Sequence, residues 1–188
     1  MLKKYKIIYA DPPWEYRVWS KKEAGRTASS HYDVMNITDI KKLPVYKIAD
    51  EDSVLFLWTT WPNLLDAIEV INSWGFGYKT VAFVWVKNNK NGKGFFTGMG
   101  YYTRANSEIC LLATRGKTLK RMSKSVHQIV NTSIEKHSKK PDIVRDRIVE
   151  LFGDLPRIEL FARYKYDGWD AWGFEIDGID IRDKLNGY

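Results

Sequence analysis

One cysteine, three histidines and no long apolar run leave several classes of function without material. A lone Cys110 can neither close an internal disulfide nor build a cysteine-rich zinc site. It lies in the apolar stretch ICLLAT, which reads as a buried thiol in a reducing, cytoplasmic setting. His31, His127 and His137 have no metal-ligand spacing, so no metal is expected. The longest apolar run, around residues 54–58, has the length of a strand, far short of the roughly 20 residues that cross a bilayer. At the N-terminus, MLKKYKIIYADPPW holds too short a hydrophobic stretch for a signal peptide. No membrane partner is therefore expected. Internal repeats, low-complexity tracts and linkers are also missing.

What remains is a chain of 188 residues, 44% hydrophobic and 28% charged, which fits one globular domain over residues 1–188. Its 30 Lys and Arg exceed 23 Asp and Glu, giving +7 and a pI near 9.3, the balance of a nucleic-acid-binding domain. Aromatic residues make up 14%, with eight Trp, and exposed rings could stack on bases.

Residues 6–10 (KIIYA) form an apolar strand that stops at Asp11-Pro12-Pro13, since prolines cannot continue a central ladder. Residues 14–31 are polar and aperiodic, a long surface loop of the functional kind. Short helical turns follow at residues 38–43, capped by Asn36 or Thr38, and then a strand at 53–59. A helix opens at Thr60-Trp61-Pro62 with Leu64, Leu65, Ile68 and Ile71 as its apolar stripe. Strands are expected at 78–87, 107–114, 128–131 and 157–161, and a helix after Lys139-Lys140-Pro141 with Val144, Ile148, Leu151 and Phe152 inward. Residues 88–100 read as a Gly/Asn/Lys loop, and residues 168–177 as a turn-rich unit. Apolar strands without period-two alternation, interleaved with helices, indicate an α/β fold with a mostly parallel sheet covered on both faces. Ligands in such sheets bind beyond the carboxyl ends of the strands.

Asp11-Pro12-Pro13-Trp14 sits at such an end. As a bare turn it would need no further purpose. As a site, it matches the demands of methylating an exocyclic amine, whose lone pair is delocalised into the ring. Asp11 and the Pro12 carbonyl offer two acceptors for the two N–H bonds, with consecutive prolines holding the backbone rigid. Trp14 offers a stacking face for an extruded base, and the carboxylate attracts a cationic methyl donor. The tract at residues 115–124, with Arg115 and Lys120, and the Lys87 loop offer positive charge for phosphates, or else solvated faces.

The motif with its strand resembles the adenine 6-amino (N(6)-adenine) methyltransferase family whose eukaryotic members methylate messenger RNA, and its short bacterial and phage DNA-modifying type in particular. The likeness continues through Gly25 to Tyr32, Leu55 to Trp58, Val84 to Lys87, Ser107-Glu108, Lys139 to Asp142, Arg157 to Arg163 and Gly168 to Gly173. It implies a Rossmann-like methyltransferase fold with permuted motif order, which accounts for the absent Gly-x-Gly-x-x-Gly. It also implies S-adenosyl-L-methionine as cofactor. Carried over by position, Asp11, Pro12, Pro13 and Trp14 are catalytic. Asp11, Lys140, Glu159, Arg163, Phe174 and Glu175 meet the cofactor, with Glu159 accepting from its ribose. Phe174 and Glu175 stand where many relatives have Asn and a polar partner, and Lys165 where the RNA-methylating members have histidine. Tyr16, His31, Tyr32, Lys87, Arg104, Asn106, Glu108, Arg115 and Lys120 face the target base or nucleic acid. DNA is the expected substrate. RNA is the alternative, as is a non-catalytic nucleic-acid-binding subunit, and a homodimer or heteromeric partner could supply target recognition.

Overall fold

The computed structural model describes residues 3–15, 34–135 and 139–188. Seven strands form one sheet in the order β5-β3-β4-β2-β1-β6-β7. β1 (Tyr5–Ala10) lies between β2 (Ala49–Thr59) and β6 (Arg157–Leu160) and is parallel to both. β7 (Asp170–Trp172) pairs parallel to β6, and β5 (Ile129–Ser133) parallel to β3 (Gly77–Asn88). β4 (Ser107–Arg115) runs antiparallel to both its neighbours, β2 and β3. The expected mostly parallel α/β sheet is thus present, with one reversed strand.

Both faces are covered. α1 (Ile37–Lys42), α2 (Leu64–Ser73) and α5 (Ile181–Asn186) bury Ile40, Val70, Ile71 and Leu185 against Ile8, Leu55 and Leu57 of the sheet. α3 (Ile143–Phe152) packs Val144, Ile148 and Phe152 against Ile7, Tyr9 and Phe56 on the other face. A four-residue α4 (Phe174–Asp177) follows β7. Among the described residues no helix is long and apolar enough to cross a membrane.

Asn36 caps α1, its side-chain oxygen accepting from the Asp39 amide at 2.9 Å. In α2 the buried stripe is Ala67, Val70 and Ile71, running on to the buried Trp74. Leu65, expected inside, is 75% exposed. The 3₁₀ turn Trp61–Asn63 offsets the helix start, so Leu65 rotates off the buried face. α3 buries Arg145 among its apolar residues, whereas Leu151 is only half-buried. Cys110 is fully buried in β4.

All strands but β4 end on one edge of the sheet, and β4 begins there. Asp11 lies on this edge, where β1 separates the strands that extend to either side. Arg115 lies on the other edge. β2 and β4 pair Thr59 with Ile109 near the first edge and Ser53 with Arg115 at the far one. The nine residues of β4 carry the chain about 26 Å between edges. Arg115, expected with Lys120 to face the target base or nucleic acid, thus stands at the edge opposite the Asp11 motif, because β4 is reversed and delivers the basic tract there.

Gly116 makes the turn at that far edge with φ +64°, and a Cβ there would sit 2.1 Å from the Glu51 carbonyl oxygen. Gly116→Ala should lower stability by at least about 1 kcal/mol in urea unfolding, by strain and by collision with backbone. The site lies on the opposite edge, so turnover at low temperature should stay near wild type. A stability loss of only a few tenths would contradict the assignment.

Candidate active site

Asp11 follows the last residue of β1 and points one carboxylate oxygen at Lys140, whose Nζ donates to Oδ2 at 2.8 Å. The same ammonium lies 3.3 Å from Glu108 Oε2 at the start of β4. Lys87, near the end of β3, donates to the other Glu108 oxygen and sits over the Trp85 ring. Three strands and the segment leading into α3 thus converge on a cluster of two carboxylates and two ammoniums with no net charge. Lys140 is buried, and its aliphatic stem ends over the Trp58 ring, 5.7 Å from the centroid.

The two carboxylates are tuned apart. Burial pushes Glu108 upward, but Lys140 and Lys87 outweigh it and hold the group at about 2. Burial also raises Asp11, Lys140 and, more weakly, Arg163 oppose it, Glu108 adds to it, and the carboxyl ends above its ordinary value. Lys140 is raised despite burial, because both acids stabilise its charge. Glu108 is the fixed anion of the cluster and Asp11 the adjustable one, the separation expected where acid–base roles differ.

The prolines make a tight turn rather than an open one. Trp14 N–H donates to the Pro12 carbonyl at 2.8 Å, and Met35 N–H to the Pro13 carbonyl at 2.9 Å. The Pro12 carbonyl, expected as an acceptor for the amine, thus has one lone pair engaged by Trp14 and a second remaining. The Trp14 indole N–H donates to the Trp58 carbonyl at 2.9 Å, which pins the ring across the end of β2. Beneath it, Trp58 Nε1 donates to Tyr9 Oη at 2.6 Å.

Arg145, absent from the sequence expectations, anchors the next layer. It is buried and meets Glu159 through two hydrogen bonds, Nε to Oε2 at 2.7 Å and Nη2 to Oε1 at 2.6 Å. Its guanidinium lies 5.2 Å from the rings of Tyr9, Tyr164 and Tyr166. Burial disfavours its charge, but the Glu159 hydrogen bonds prevail and raise it above the ordinary arginine range. Asp142 accepts from Lys139 at 2.8 Å, from Arg145 at 3.1 Å and from the Tyr164 hydroxyl, fixing the α3 entrance that carries Lys140. Glu159 was expected to take ribose hydroxyls. Each of its oxygens accepts one hydrogen bond from Arg145, which orients the carboxylate and leaves a further lone pair on each oxygen for a hydroxyl donor.

Phe161, just past β6, adopts φ 61°, a left-handed geometry costly for a non-glycine residue. The turn brings Ala162 beside Gly173, where a Cβ would come 2.1 Å from the Ala162 carbonyl oxygen. This close approach sets Arg163 against Glu175, 3.6 Å apart, both partly open to solvent. Phe174 next to them is 71% exposed.

These residues fit S-adenosyl-L-methionine. The Asp11 carboxylate would offer an anion to a sulfonium, Arg163 and Glu175 polar contacts to a ribose, and the exposed Phe174 ring a face to an adenine. Trp61 also belongs to this edge. It is 48% exposed with its indole N–H on Ser107 Oγ at 3.0 Å, and its place just past β2, before Pro62, was the signal for it. Arg104 and Asn106 lie on the chain entering β4, with the Asn106 carbonyl accepting from Lys87 N–H at 2.9 Å. Tyr16, His31 and Tyr32 lie outside the described residues.

Comparison with known proteins agrees with this geometry. The MT-A70 family model matches residues 5–175. The Type II methyltransferase M.MunI of Mycoplasma sp is 38% identical over 201 residues, spanning 98% of this chain and 83% of that protein. The human N(6)-adenosine-methyltransferase catalytic subunit METTL3 is 25% identical over 186 residues, 97% of this chain. The Drosophila melanogaster N(6)-adenosine-methyltransferase MT-A70-like protein is also 25% identical over 186 residues. The chain spans only 30% of METTL3 and 29% of the fly protein. A family match over most of the chain, joined to a relative covered for most of its own length, places this protein in the MT-A70 family of S-adenosyl-L-methionine-dependent methyltransferases.

Proposed function

We propose that this chain transfers a methyl group from S-adenosyl-L-methionine to the exocyclic 6-amino group of adenine in DNA. The observation that carries the reading is the Asp11 carboxylate, set at the carboxyl end of β1 and held by Lys140 at 2.8 Å beside a rigid proline turn. The bound cofactor supplies an electrophilic methyl on a cationic sulfur. Asp11 accepts one N–H of the amine, and the remaining Pro12 lone pair accepts the other. Both draw the nitrogen lone pair out of the ring and toward the methyl. Lys140 keeps Asp11 ionised and aimed, Glu108 keeps Lys140 in place, and the pinned Trp14 ring walls the base pocket. Asp11, lifted by burial, is also the nearest acceptor for the proton the methylated amine sheds. Positioning and fixed charge carry the rate. DNA is preferred over RNA because the likeness to the Type II methyltransferase covers 83% of that protein, against 30% for the adenosine methyltransferase subunit.

Labelled donor with defined DNA and RNA oligonucleotides, followed by nucleoside mass spectrometry, tests the reading. Methylated adenine from DNA is expected; methylation of RNA alone would shift the substrate, and of neither would reject it. Asp11→Asn should lower kcat by at least about 100-fold while cofactor affinity changes far less.

Acid should quench turnover, because protonating Asp11 removes an acceptor. The midpoint of the acid limb should lie above the ordinary Asp value of 3.8, the direction of its shift. Lys140→Met removes the ammonium that opposes burial, so Asp11 rises further and the limb moves to higher pH. Turnover should also fall by about 10–100-fold through lost alignment. An acid limb that stays in place would break the link between the two groups.

Phosphate contacts should come from the site edge. Removing Lys90, Lys93 or Arg104 should each reduce the salt slope of duplex affinity by about one, and removing Arg115 or Lys120 should leave it unchanged. Reversed results would place the nucleic acid on the far edge.

A further inference from the structure

Residues 89–106, between β3 and β4, leave the sheet at the active edge and return to it. The excursion is a built structure. Asn89 N–H donates to the Gly94 carbonyl at 3.1 Å, Phe96 N–H to Lys87 at 2.8 Å and Gly98 N–H to Ala105 at 2.8 Å. At the tip the chain folds so tightly that a Cβ on Gly100 would meet the Thr103 carbonyl oxygen at 2.2 Å. This turn projects Tyr101 and Tyr102, their rings 4.8 Å apart and nearly perpendicular at 82°. Tyr102 is 93% exposed, and Phe95 and Met99 are more than half exposed. Residues 88–106 carry Lys90, Lys93 and Arg104 and no acidic residue.

An apolar surface alone would not say what covers it. Here it is interleaved with cations only, and both its stems are site residues: Lys87 at one end and Glu108 just past the other. A polyanion bearing flat rings matches both properties, because cations track the backbone and rings stack on bases in a sequence-tolerant way. The perpendicular pair suits one stacking face, with Tyr101 bracing Tyr102.

We propose that this excursion is a stacking platform for nucleic-acid bases next to the adenine under modification, with Tyr102 as its contact face. The proposal rests on the reading of the site given above and names the surface that holds the rest of the substrate. Extruding one base disturbs its neighbours, and a ring beside them offsets part of the lost stacking.

The test compares the full chain with Tyr102→Ala and Tyr102→Trp in fluorescence anisotropy. The probes are a labelled twelve-nucleotide adenine-rich single strand and an abasic strand of the same length. Tyr102→Ala should bind the base-bearing strand about tenfold more weakly and the abasic strand unchanged, and Tyr102→Trp should bind like wild type. The salt slope should not change, since no cation is removed. Equal binding of wild type and Tyr102→Ala to the base-bearing strand would overturn the platform. So would equal losses on both strands, or a lost affinity matched by dissociation of a dimer in sedimentation velocity, which would assign the surface to a second copy. The methyl-transfer assay separates the two readings. Base-dependent binding without transfer would leave the platform and remove the reaction; transfer with Tyr102-independent binding would do the reverse.

Discussion

A single buried ammonium holds the working edge of this protein together. Lys140 is buried, so its charge must keep two carboxylates within reach, and those carboxylates come from different parts of the sheet. An unpaired buried charge would cost several kcal/mol, and the pairing is geometric as well as electrostatic. The segment before α3 therefore cannot shift without breaking the pairs to Asp11 just past β1 and to Glu108 on β4. Asp142 and Arg145 lock that segment from the other side, and Arg145 in turn engages β6 through Glu159. The Asp11 carboxylate is thus fixed relative to the centre of the sheet by two sets of charge pairs carried on one segment.

Much of this frame was legible in the sequence. Apolar strands without alternation reported a sheet covered on both faces, and β1, β2, β4 and β6 lie where such runs stop. Asp-Pro-Pro-Trp reported its own position, because prolines must end a central ladder. Asn36 announced the start of α1 through its ability to cap.

Other features were not written in local pattern. The reversal of β4 depends on which strands meet in space, and it alone decides that Arg115 lies away from the site. Arg145 looks like a solvated helix residue, and only the three tyrosines and Glu159, up to 136 residues distant along the chain from Tyr9, make it buried. The pairing of Glu159 with Arg145 is likewise invisible in the sequence. Leu65 looks inward until the 3₁₀ turn before it shifts the helical phase. The first three misses are tertiary context overriding a one-dimensional cue, and the last is a local change of helical phase.

The reversed strand has an architectural consequence. With β3 and β4 joined as neighbours on the active edge, residues 89–106 form a closed detour whose two ends are already fastened by sheet hydrogen bonds. Lengthening or replacing a detour of that kind carries a small entropic penalty, only about 0.6 kcal/mol per doubling of length. Such a module can be exchanged without disturbing the strands that carry Lys87 and Glu108. The strands that carry the charged cluster and the detour that projects from them are thus separable parts of one small chain.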